Sequence, residues 1–237
     1  CFAHEDIQFD TIGWGEKIIP KLSETDCGVI GFAGTTARIS ALCGIGLSRA
    51  HWRSNYIQHM NKGGMKSCFK NPDRVEFSPV VSVDGMCLFV SRKVWQEVRF
   101  DEKTFPNFHL YDLDFTSAVF RAGYINYICN TVIVEHFSEG YYTQEWLAAT
   151  IDFNNKWRDA LPLYVSGFPC IKNLDRYVRS REFRFIKAMM KSRGKCSWEL
   201  IDGLCRQYYR KYPFYRSIVV WFHAYRYRKR WKREGRL

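Results

Sequence analysis

Residues 108–115 read Phe-His-Leu-Tyr-Asp-Leu-Asp-Phe and begin an apolar-periodic run that closes on Gly123. Because carboxylates are stabilised at the positive end of the helix dipole, this pattern predicts a helix with acidic residues in its first turn and a glycine stop. Helix positions two apart point about 200° from each other, so Asp112 and Asp114 are not expected to face the same site. Only one of them is expected to be a catalytic base. The alternative is that both are helix-start acids.

The composition indicates a globular protein with an uneven charge. Its 237 residues, 17% aromatic and 25% charged, suffice for one sizeable core and exclude a disordered chain. From Arg176 to the end, 19 Lys and Arg stand against 4 Asp and Glu, a net charge of +15. The preceding residues carry 17 Lys and Arg against 20 Asp and Glu, a net charge of −3. This asymmetry predicts a basic tail that meets an anionic partner, either a membrane or a nucleic acid.

The cysteines and the hydropathy indicate the cellular compartment of the protein. Nine cysteines are scattered without a Cys-x-x-Cys pair, which favours free thiols in a reducing cytoplasm over a disulfide framework or a zinc site. Neither a signal peptide nor an apolar run of membrane-spanning length is visible. The sequence therefore predicts a cytoplasmic protein, and the basic tail leaves open a peripheral position on the inner face of the membrane.

A short apolar run at residues 1–3 leads into His4-Glu5-Asp6, like the end of a buried strand before a polar loop. In an extended segment His4 and Asp6 share a face, and this pair is able to bind a divalent cation. The common alternative is an ordinary loop. His136 also follows a predicted strand, where a lone histidine is more often structural than a ligand.

The remaining periodicities predict alternating helices and strands. Asp84-Gly85 interrupts an apolar run and marks a bulge or a place where a ligand meets the backbone. The predicted elements are a helical face from Phe9 to Ser23, a buried strand at 28–34, a long irregular excursion at 35–77, a strand at 80–90, a helix at 91–98, strands at 125–129 and 132–134, a helix at 143–157, and basic aromatic helices beyond Pro169.

Several ordered motifs together resemble family-2 glycosyltransferases of the GT-A fold, in the branch related to a streptomycin-biosynthesis protein. The resemblance spans residues 1–162. The residues that carry it are Phe2-x-His4-x-Asp6, Val83-Asp84-Gly85, Phe100-Asp101-Glu102, Phe108-His109-x-Tyr111-Asp112-x-Asp114, Gly123-Tyr124, His136-x-Ser138-x-Gly140 and Lys156-Trp157-x-x-x-Leu161-Pro162.

The resemblance implies roles for individual residues. His4 and Asp6 take the place of the Asp-x-Asp type metal motif, although the leading His departs from the commoner Asp, and His136 corresponds to a further metal ligand. Asp112 corresponds to the catalytic base, with Tyr111 where the family has Glu. The implied cofactor is Mn²⁺ or Mg²⁺ on the donor diphosphate. The residues expected to contact substrate are Asp84, Gly85, His109 and Asp114, of which Asp114 is also the structural acid of the helix start.

The resemblance also implies an α/β fold, a GT-A-like mixed sheet flanked by helices and followed by a basic helical tail. The expected division is an acceptor and metal portion at 1–169 and the tail at 170–237. Because the family places nucleotide-binding strands before the metal motif, the chain is expected to lack that half. Residues 1–3 and 28–34 are then expected at an exposed apolar sheet edge, or covered by a partner chain or the tail.

Two functions of different classes follow. The first is an inverting, metal-dependent glycosyltransferase that moves a sugar from a nucleotide-diphosphate sugar to a glycan, lipid-linked or small-molecule hydroxyl acceptor, in surface glycan or secondary-metabolite glycoside synthesis. The second is a catalytically inactive binding or scaffolding module whose basic tail binds a membrane or a nucleic acid. The sequence contains no recognised nucleic-acid-binding motif, which disfavours a nucleic-acid partner.

The end of the tail has the pattern of an amphipathic helix. Phe214, Ile218, Trp221 and Tyr225 follow helical spacing, and the run from Arg226 to Arg233 is densely basic. An aromatic, cationic helix of this kind suits the interface of an anionic membrane. The alternative is that its apolar face packs on the protein core.

Overall fold

The computed structural model describes residues 1–45, 50–140, 143–168, 170–191, 196–213 and 216–235. In these residues the chain is a mixed α/β protein with seven helices and mixed sheets. It divides into a first unit of residues 1–39, 44–140 and 157–170 and a second unit of residues 40–43, 141–156 and 171–237. The boundary expected at 169/170 therefore lies one residue later, and two earlier segments join the second unit because their apolar side chains pack into its helical core.

The elements alternate along most of the chain. The strands are β1 Phe2–Ala3, β2 Ile7–Phe9, β3 Cys27–Gly31, β4 Ala33–Thr35, β5 Ala37–Arg38, β6 Trp52–His59, β7 Met65–Lys70, β8 Phe77–Val80, β9 Ser82–Val83, β10 Cys87–Val90, β11 Ile125–Cys129, β12 Val134–His136 and β13 Leu163–Tyr164. The helices are α1 Trp14–Leu22, α2 Arg92–Glu97, α3 Tyr111–Arg121, α4 Gln144–Trp157, α5 Leu174–Lys191, α6 Trp198–Lys211 and α7 Arg216–Arg233.

The first sheet has the order β1-β10-β3-β11-β8 and is mixed, since β3 pairs parallel with β11 and antiparallel with β10. Side chains alternate between its two faces. Val29 joins an apolar cluster with residues of α2 and α3, whereas Ile30 joins a cluster with Ile18 of α1. Helices therefore flank both faces of the sheet, in agreement with the expected architecture at the level of a mixed sheet flanked by helices.

The expected sheet edge at residues 28–34 is wrong. Strand β3 lies between β10 and β11, and β4 lies between β6 and β9, so both strands are paired on both sides and buried. The segment from 77 to 90 supplies two of these neighbours, β10 beside β3 and β9 beside β4. The expectation for residues 1–3 is confirmed, because β1 lies at an edge of the first sheet and Phe2 is 37% exposed.

The second sheet has the order β2-β12-β6-β4-β9, with β7 paired to β6. Its β6–β7 hairpin occupies much of the segment that the sequence predicted to be irregular. The turn contains Gly63 and Gly64, both with positive φ, and its strands are half-exposed and rich in polar residues, so they lack the apolar alternation that identifies a strand. Strand β2 likewise replaces the start of the helical face that was predicted from Phe9.

The second unit is helical. Apolar residues of α4, α5, α6 and α7 form one buried cluster, which includes Leu147, Phe185, Ile201 and Trp231. Helix α6 begins at a Ser197 cap that accepts a hydrogen bond from the Leu200 amide. The predicted basic helical tail is thus confirmed for its described residues. Among those residues no helix is both long enough and apolar enough to cross a membrane.

Candidate active site

Three polar residues distant in sequence meet at one end of the second sheet. His4 follows β1, Asp6 precedes β2, and His136 ends β12. They meet because β12 runs antiparallel to β2, which places His136 opposite Ile7, while the Phe137 amide donates to the Asp6 carbonyl. We name this group the His-Asp-His cluster. The resemblance to ordered motifs implied that these residues meet, and the structure brings the three side chains together.

The spacing of the His-Asp-His cluster fits a metal ion. His4 Nδ1 lies 3.8 Å and His136 Nε2 3.6 Å from Asp6 Oδ1, and all three ligand atoms lie within 4.8 Å of one another. Ligand atoms at about 2.0–2.2 Å from a common ion stand up to about 4.4 Å apart. The two measured pairs are within this span, and the third, at no more than 4.8 Å, exceeds it by at most about 0.4 Å.

A neighbouring amide orients His136. Gln58 is its register partner on β6, and Gln58 Oε1 lies 3.3 Å from His136 Nδ1. Gln58 Nε2 donates to the carbonyls of Ser138 and His136, which directs Oε1 toward the imidazole. With Oε1 facing Nδ1, the tautomer that completes this hydrogen bond carries its proton on Nδ1 and keeps a lone pair on Nε2. That Nε2 atom is buried, has no hydrogen-bond partner among the residues that the structure describes, and faces the Asp6 carboxylate, as a metal ligand would.

The electrostatics favour the protonation states that bind metals. Burial lowers the pKa of His136, and His4 lowers it further against the opposing effect of Asp6. Burial acts to raise the pKa of Asp6, but a hydrogen bond from the Ser138 side chain and the charge of His136 outweigh it, so this pKa is lowered. A neutral imidazole and an ionised carboxylate are the forms that coordinate a cation.

Two carboxylates, Asp84 and Asp112, form a second group that we name the carboxylate pair. Asp112 lies in the first turn of α3, as predicted, and its Oδ2 accepts a hydrogen bond of 2.8 Å from the Gly85 amide. The Met86 amide donates to Asp84 Oδ1 at 3.2 Å. A Cβ at residue 85 would lie 2.8 Å from the Tyr111 hydroxyl and 2.9 Å from Asp112 Cβ, so this close approach requires glycine.

The carboxylate pair has altered acidity. Burial, followed by the charge of Asp84, raises the pKa of Asp112 to about 6. Burial also raises the pKa of Asp84, against the effect of the Met86 amide. Immediately before the helix, the buried Leu110 has a φ of 64°, an uncommon conformation for a branched residue. Backbone strain of about 1–3 kcal/mol at such a position is typical of active sites, and here it sets the start of the helix that carries Asp112.

The structure separates Asp114 from Asp112, as the helical spacing predicted. Asp114 is 1% exposed, and its Oδ1 accepts a hydrogen bond of 2.8 Å from Trp157 Nε1. The assignment of Asp114 to substrate contact is therefore corrected, because a carboxylate buried under an indole presents no surface to a ligand. Its structural role at the helix start stands.

Phe108, the aromatic neighbour of His109, lies close to the His-Asp-His cluster. His109 is half-buried, and its ring lies 5.6 Å from that of Phe108, which is 63% exposed. The Phe108 ring in turn lies 5.2 Å from the His4 ring. An exposed aromatic beside a cation site offers a stacking surface for a sugar or a base. Sequence analysis gave no role to Phe108 or Gln58, and for Gln58 no local signal exists because its partner is 78 residues away.

The two groups also belong to neighbouring segments. The β1–β10 pairing continues past Ala3 as a hydrogen bond of 3.0 Å from the His4 amide to the Met86 carbonyl, so the first histidine adjoins the turn that carries Asp84 and Gly85. The arrangement can hold a divalent cation and, nearby, accept a proton.

Comparisons of this chain with protein-family models, with curated proteins and with solved structures found no match.

Proposed function

We propose that this protein is a metal-dependent inverting glycosyltransferase, which transfers a sugar from a nucleotide-diphosphate sugar to a hydroxyl acceptor in surface glycan or secondary-metabolite glycoside synthesis. The observation that carries the proposal is the His-Asp-His cluster, in which the buried Nε2 of His136 has no hydrogen-bond partner within the described parts of the chain. The sequence motifs support the reaction class, and the cluster supports its requirement for a cation.

His4, Asp6 and His136 would hold the cation. Mixed imidazole and carboxylate ligands suit Mn²⁺ better than Ca²⁺, with Mg²⁺ as the second candidate. When bound, the cation would neutralise the charge that develops on the leaving diphosphate. Gln58 would keep the imidazole of His136 in the tautomer that presents Nε2 to the cation.

Asp112 is the proposed base. It would take the proton from the acceptor hydroxyl as that oxygen attacks the sugar carbon. A carboxylate with a pKa of about 6 is mostly ionised at neutral pH and is a stronger base than an ordinary aspartate. The hydrogen bond from the Gly85 amide fixes the carboxylate, and Asp84 keeps its basicity high. Phe108 and His109 are the proposed contacts for the substrate rings.

The test is sugar transfer by the full chain with Mn²⁺ and a panel of nucleotide sugars. Asp112→Asn should lower the rate by about 10²–10⁴-fold, the usual contribution of a general base. Asp114→Asn is the matched control two residues away, and its folding is measured by circular dichroism so that a loss of structure is recognised. A larger loss of transfer by folded Asp114→Asn would overturn the assignment of the base.

The inactive binding module predicts a different outcome of the same experiment. The chain would bind Mn²⁺ without transferring a sugar from any donor of the panel. Isothermal titration of Mn²⁺ and of each nucleotide sugar therefore accompanies the activity assay. Metal binding without nucleotide binding would overturn the transferase proposal and favour the binding module.

A further inference from the structure

Helix α7 has two apolar faces. Val220, Ala224 and Trp231 lie on the face that packs into the core of the second unit. The other face, which we name the aromatic face, exposes Ile218, Trp221, Phe222 and Tyr225 by 66%, 58%, 51% and 47% of their surfaces. Phe214, which the sequence placed on this stripe, lies outside the described residues. Both alternatives that the sequence left open therefore occur in α7. One side of the helix packs on the core, and another side exposes an apolar stripe.

A basic pocket adjoins the aromatic face. It has a volume of about 320 Å³ and opens between α5 and α7. Helix α5 supplies Lys187 and Lys191, one turn apart, and α7 supplies the remaining residues. These are His223, Arg226, Tyr227, Arg230 and Arg233.

The pocket is electropositive. Arg230 forms an ion pair with Glu234, but in the part of the chain that the structure describes no carboxylate lies within ion-pair distance of Lys187, Lys191 or Arg226. Burial lowers the pKa of His223, and the charges of Lys187, Arg226 and Lys191 lower it further. Cations held together without acidic partners attract a phosphate, which can accept several charge-assisted hydrogen bonds at once.

We propose that the second unit docks on an anionic phospholipid bilayer, with the basic pocket on a lipid phosphate and the aromatic face in the interfacial layer. One cation–ring contact links the pocket to the aromatic face, through Arg226, and a second joins the aromatic face to Lys229, which lies outside the pocket. The Arg226 guanidinium lies 5.7 Å from the Phe222 ring, and Lys229 Nζ lies 4.7 Å from the Tyr225 ring. Trp and Tyr beside Lys and Arg are the residues that occupy a membrane interface.

The aliphatic member of the aromatic face favours a bilayer over a nucleic acid. Ile218 is the most exposed of the four residues and has no ring on which a base could stack, whereas its burial among acyl chains is favourable. The proposal is independent of the glycosyltransferase function, because every residue it uses lies in the second unit.

The test is co-sedimentation of the full chain with vesicles of phosphatidylcholine, alone or mixed with phosphatidylglycerol, at low and high salt. Binding should require phosphatidylglycerol and weaken at high salt. The triple variant Lys187→Ala, Lys191→Ala, Arg226→Ala should bind at least about 10-fold more weakly, because each cation near the surface contributes to affinity. Removing exposed apolar surface with Trp221→Ser and Phe222→Ser should also weaken binding by about 10-fold.

The control removes equal charge outside the pocket, in the exposed residues Lys172, Arg176 and Arg184 of the same unit. The affinity of this triple alanine variant for the vesicles should fall by less than about 3-fold if the lipid phosphate binds in the pocket. An equal loss in both triple variants, or no binding of wild type at low salt, would overturn the proposal. Arg226→Gln, a single change at an exposed position, keeps the test available if the pocket triple variant does not fold.

Two further probes distinguish other sources of phosphate. Soluble glycerol phosphate should not bind measurably, because it lacks the acyl layer that receives the aromatic face. Binding of glycerol phosphate without binding of vesicles would assign the pocket to a free phosphate compound. Tighter binding to single-stranded RNA than to phosphatidylglycerol vesicles would assign the surface to a nucleic acid. Either result contradicts docking on a bilayer.

Discussion

The His-Asp-His cluster of the first unit and the basic pocket of the second are built in opposite ways. The cluster joins His4 and Asp6 to His136, and its geometry depends on the pairing of β12 with β2 and β6. The pocket is lined mainly by Lys and Arg side chains of α5 and α7, at spacings that put several cations on one side of each helix. One site thus requires long-range pairing, and the other follows mainly from local periodicity.

This difference predicts how each site responds to mutation. A site made by strand pairing has few interchangeable members, so one substitution should have a large effect. A surface of many cations should lose affinity in small, nearly additive steps. The four predictions below test whether the two units are as different as this comparison implies, beginning with the largest expected effect.

Trp231→Ala tests whether the second unit has its own core. Trp231 is 3% exposed, packs against Trp198, and donates from Nε1 to the Met190 carbonyl at 3.2 Å. Its loss should lower the free energy of unfolding by about 3–5 kcal/mol. The exposed Trp221→Ala is the matched control, with a change within about 0.5 kcal/mol. Denaturant unfolding measures both, and a loss of Mn²⁺ binding by folded Trp231→Ala would contradict the separation of the two units.

Asp6→Asn tests the cluster itself. Removal of the carboxylate takes away the negative ligand between two imidazoles, so the affinity for Mn²⁺ should fall by more than about 100-fold, beyond the usual effect of a residue outside the coordination shell. Isothermal titration measures the affinity. Glu5→Gln, an exposed carboxylate next in sequence, should leave it unchanged. Equal losses in the two variants would mean that only the overall charge matters, as it does for a diffuse surface.

Gln58→Leu tests whether a residue outside the coordination shell orients the His136 imidazole. Without the acceptor at Nδ1, the imidazole of His136 is free to rotate and to change tautomer, so the affinity for Mn²⁺ should fall by about 10–100-fold. Gln58→Glu keeps an acceptor at Nδ1 but loses the donor to the Ser138 and His136 carbonyls, so it should restore only part of the affinity. Gln8→Leu, an exposed change on the adjacent β2, is the control. Unchanged affinity in Gln58→Leu would show that β6 does not orient the ligand.

The pH dependence of Asp112→Asn gives the smallest expected effect. Because the pKa of Asp112 is raised from 3.8 to about 6, the native state favours the protonated acid, and wild-type stability falls as pH rises through this interval. The rise corresponds to at most about 3 kcal/mol, and we expect about half of it because Asp84 shares the titration. Asparagine does not ionise, so the variant does not lose stability in this way as the pH rises. The variant should therefore gain stability relative to wild type between about pH 4 and about pH 7.

Thermal unfolding at the two pH values measures this gain. Asp84→Asn removes the second cause of the raised pKa of Asp112, so its presence in the background should reduce the gain. A gain of equal size with and without Asp84 would show that burial alone sets the acidity of Asp112.

The sequence by itself predicted the elements that local chemistry controls. The glycine that ends α3 and the acidic first turn that contains Asp112 follow from the helix dipole and from positive φ, which is 99° at Gly123. The basic aromatic helices of the second unit follow from helical spacing. The meeting of His4, Asp6 and His136 came instead from resemblance to ordered motifs, since nothing in the local pattern links positions 130 residues apart.

Tertiary structure alone decided which strands are neighbours and which polar groups are buried. The pairing of β3 and β4 on both sides, the β6–β7 hairpin, the burial of Asp114 under Trp157 and the hydrogen bond from Gln58 all depend on segments distant in sequence. The residues of a strand specify that it pairs and which face is apolar, but its partners are set by competition among all strands for the same core. For this reason the helical unit was predicted more closely than the sheets that carry the candidate active site.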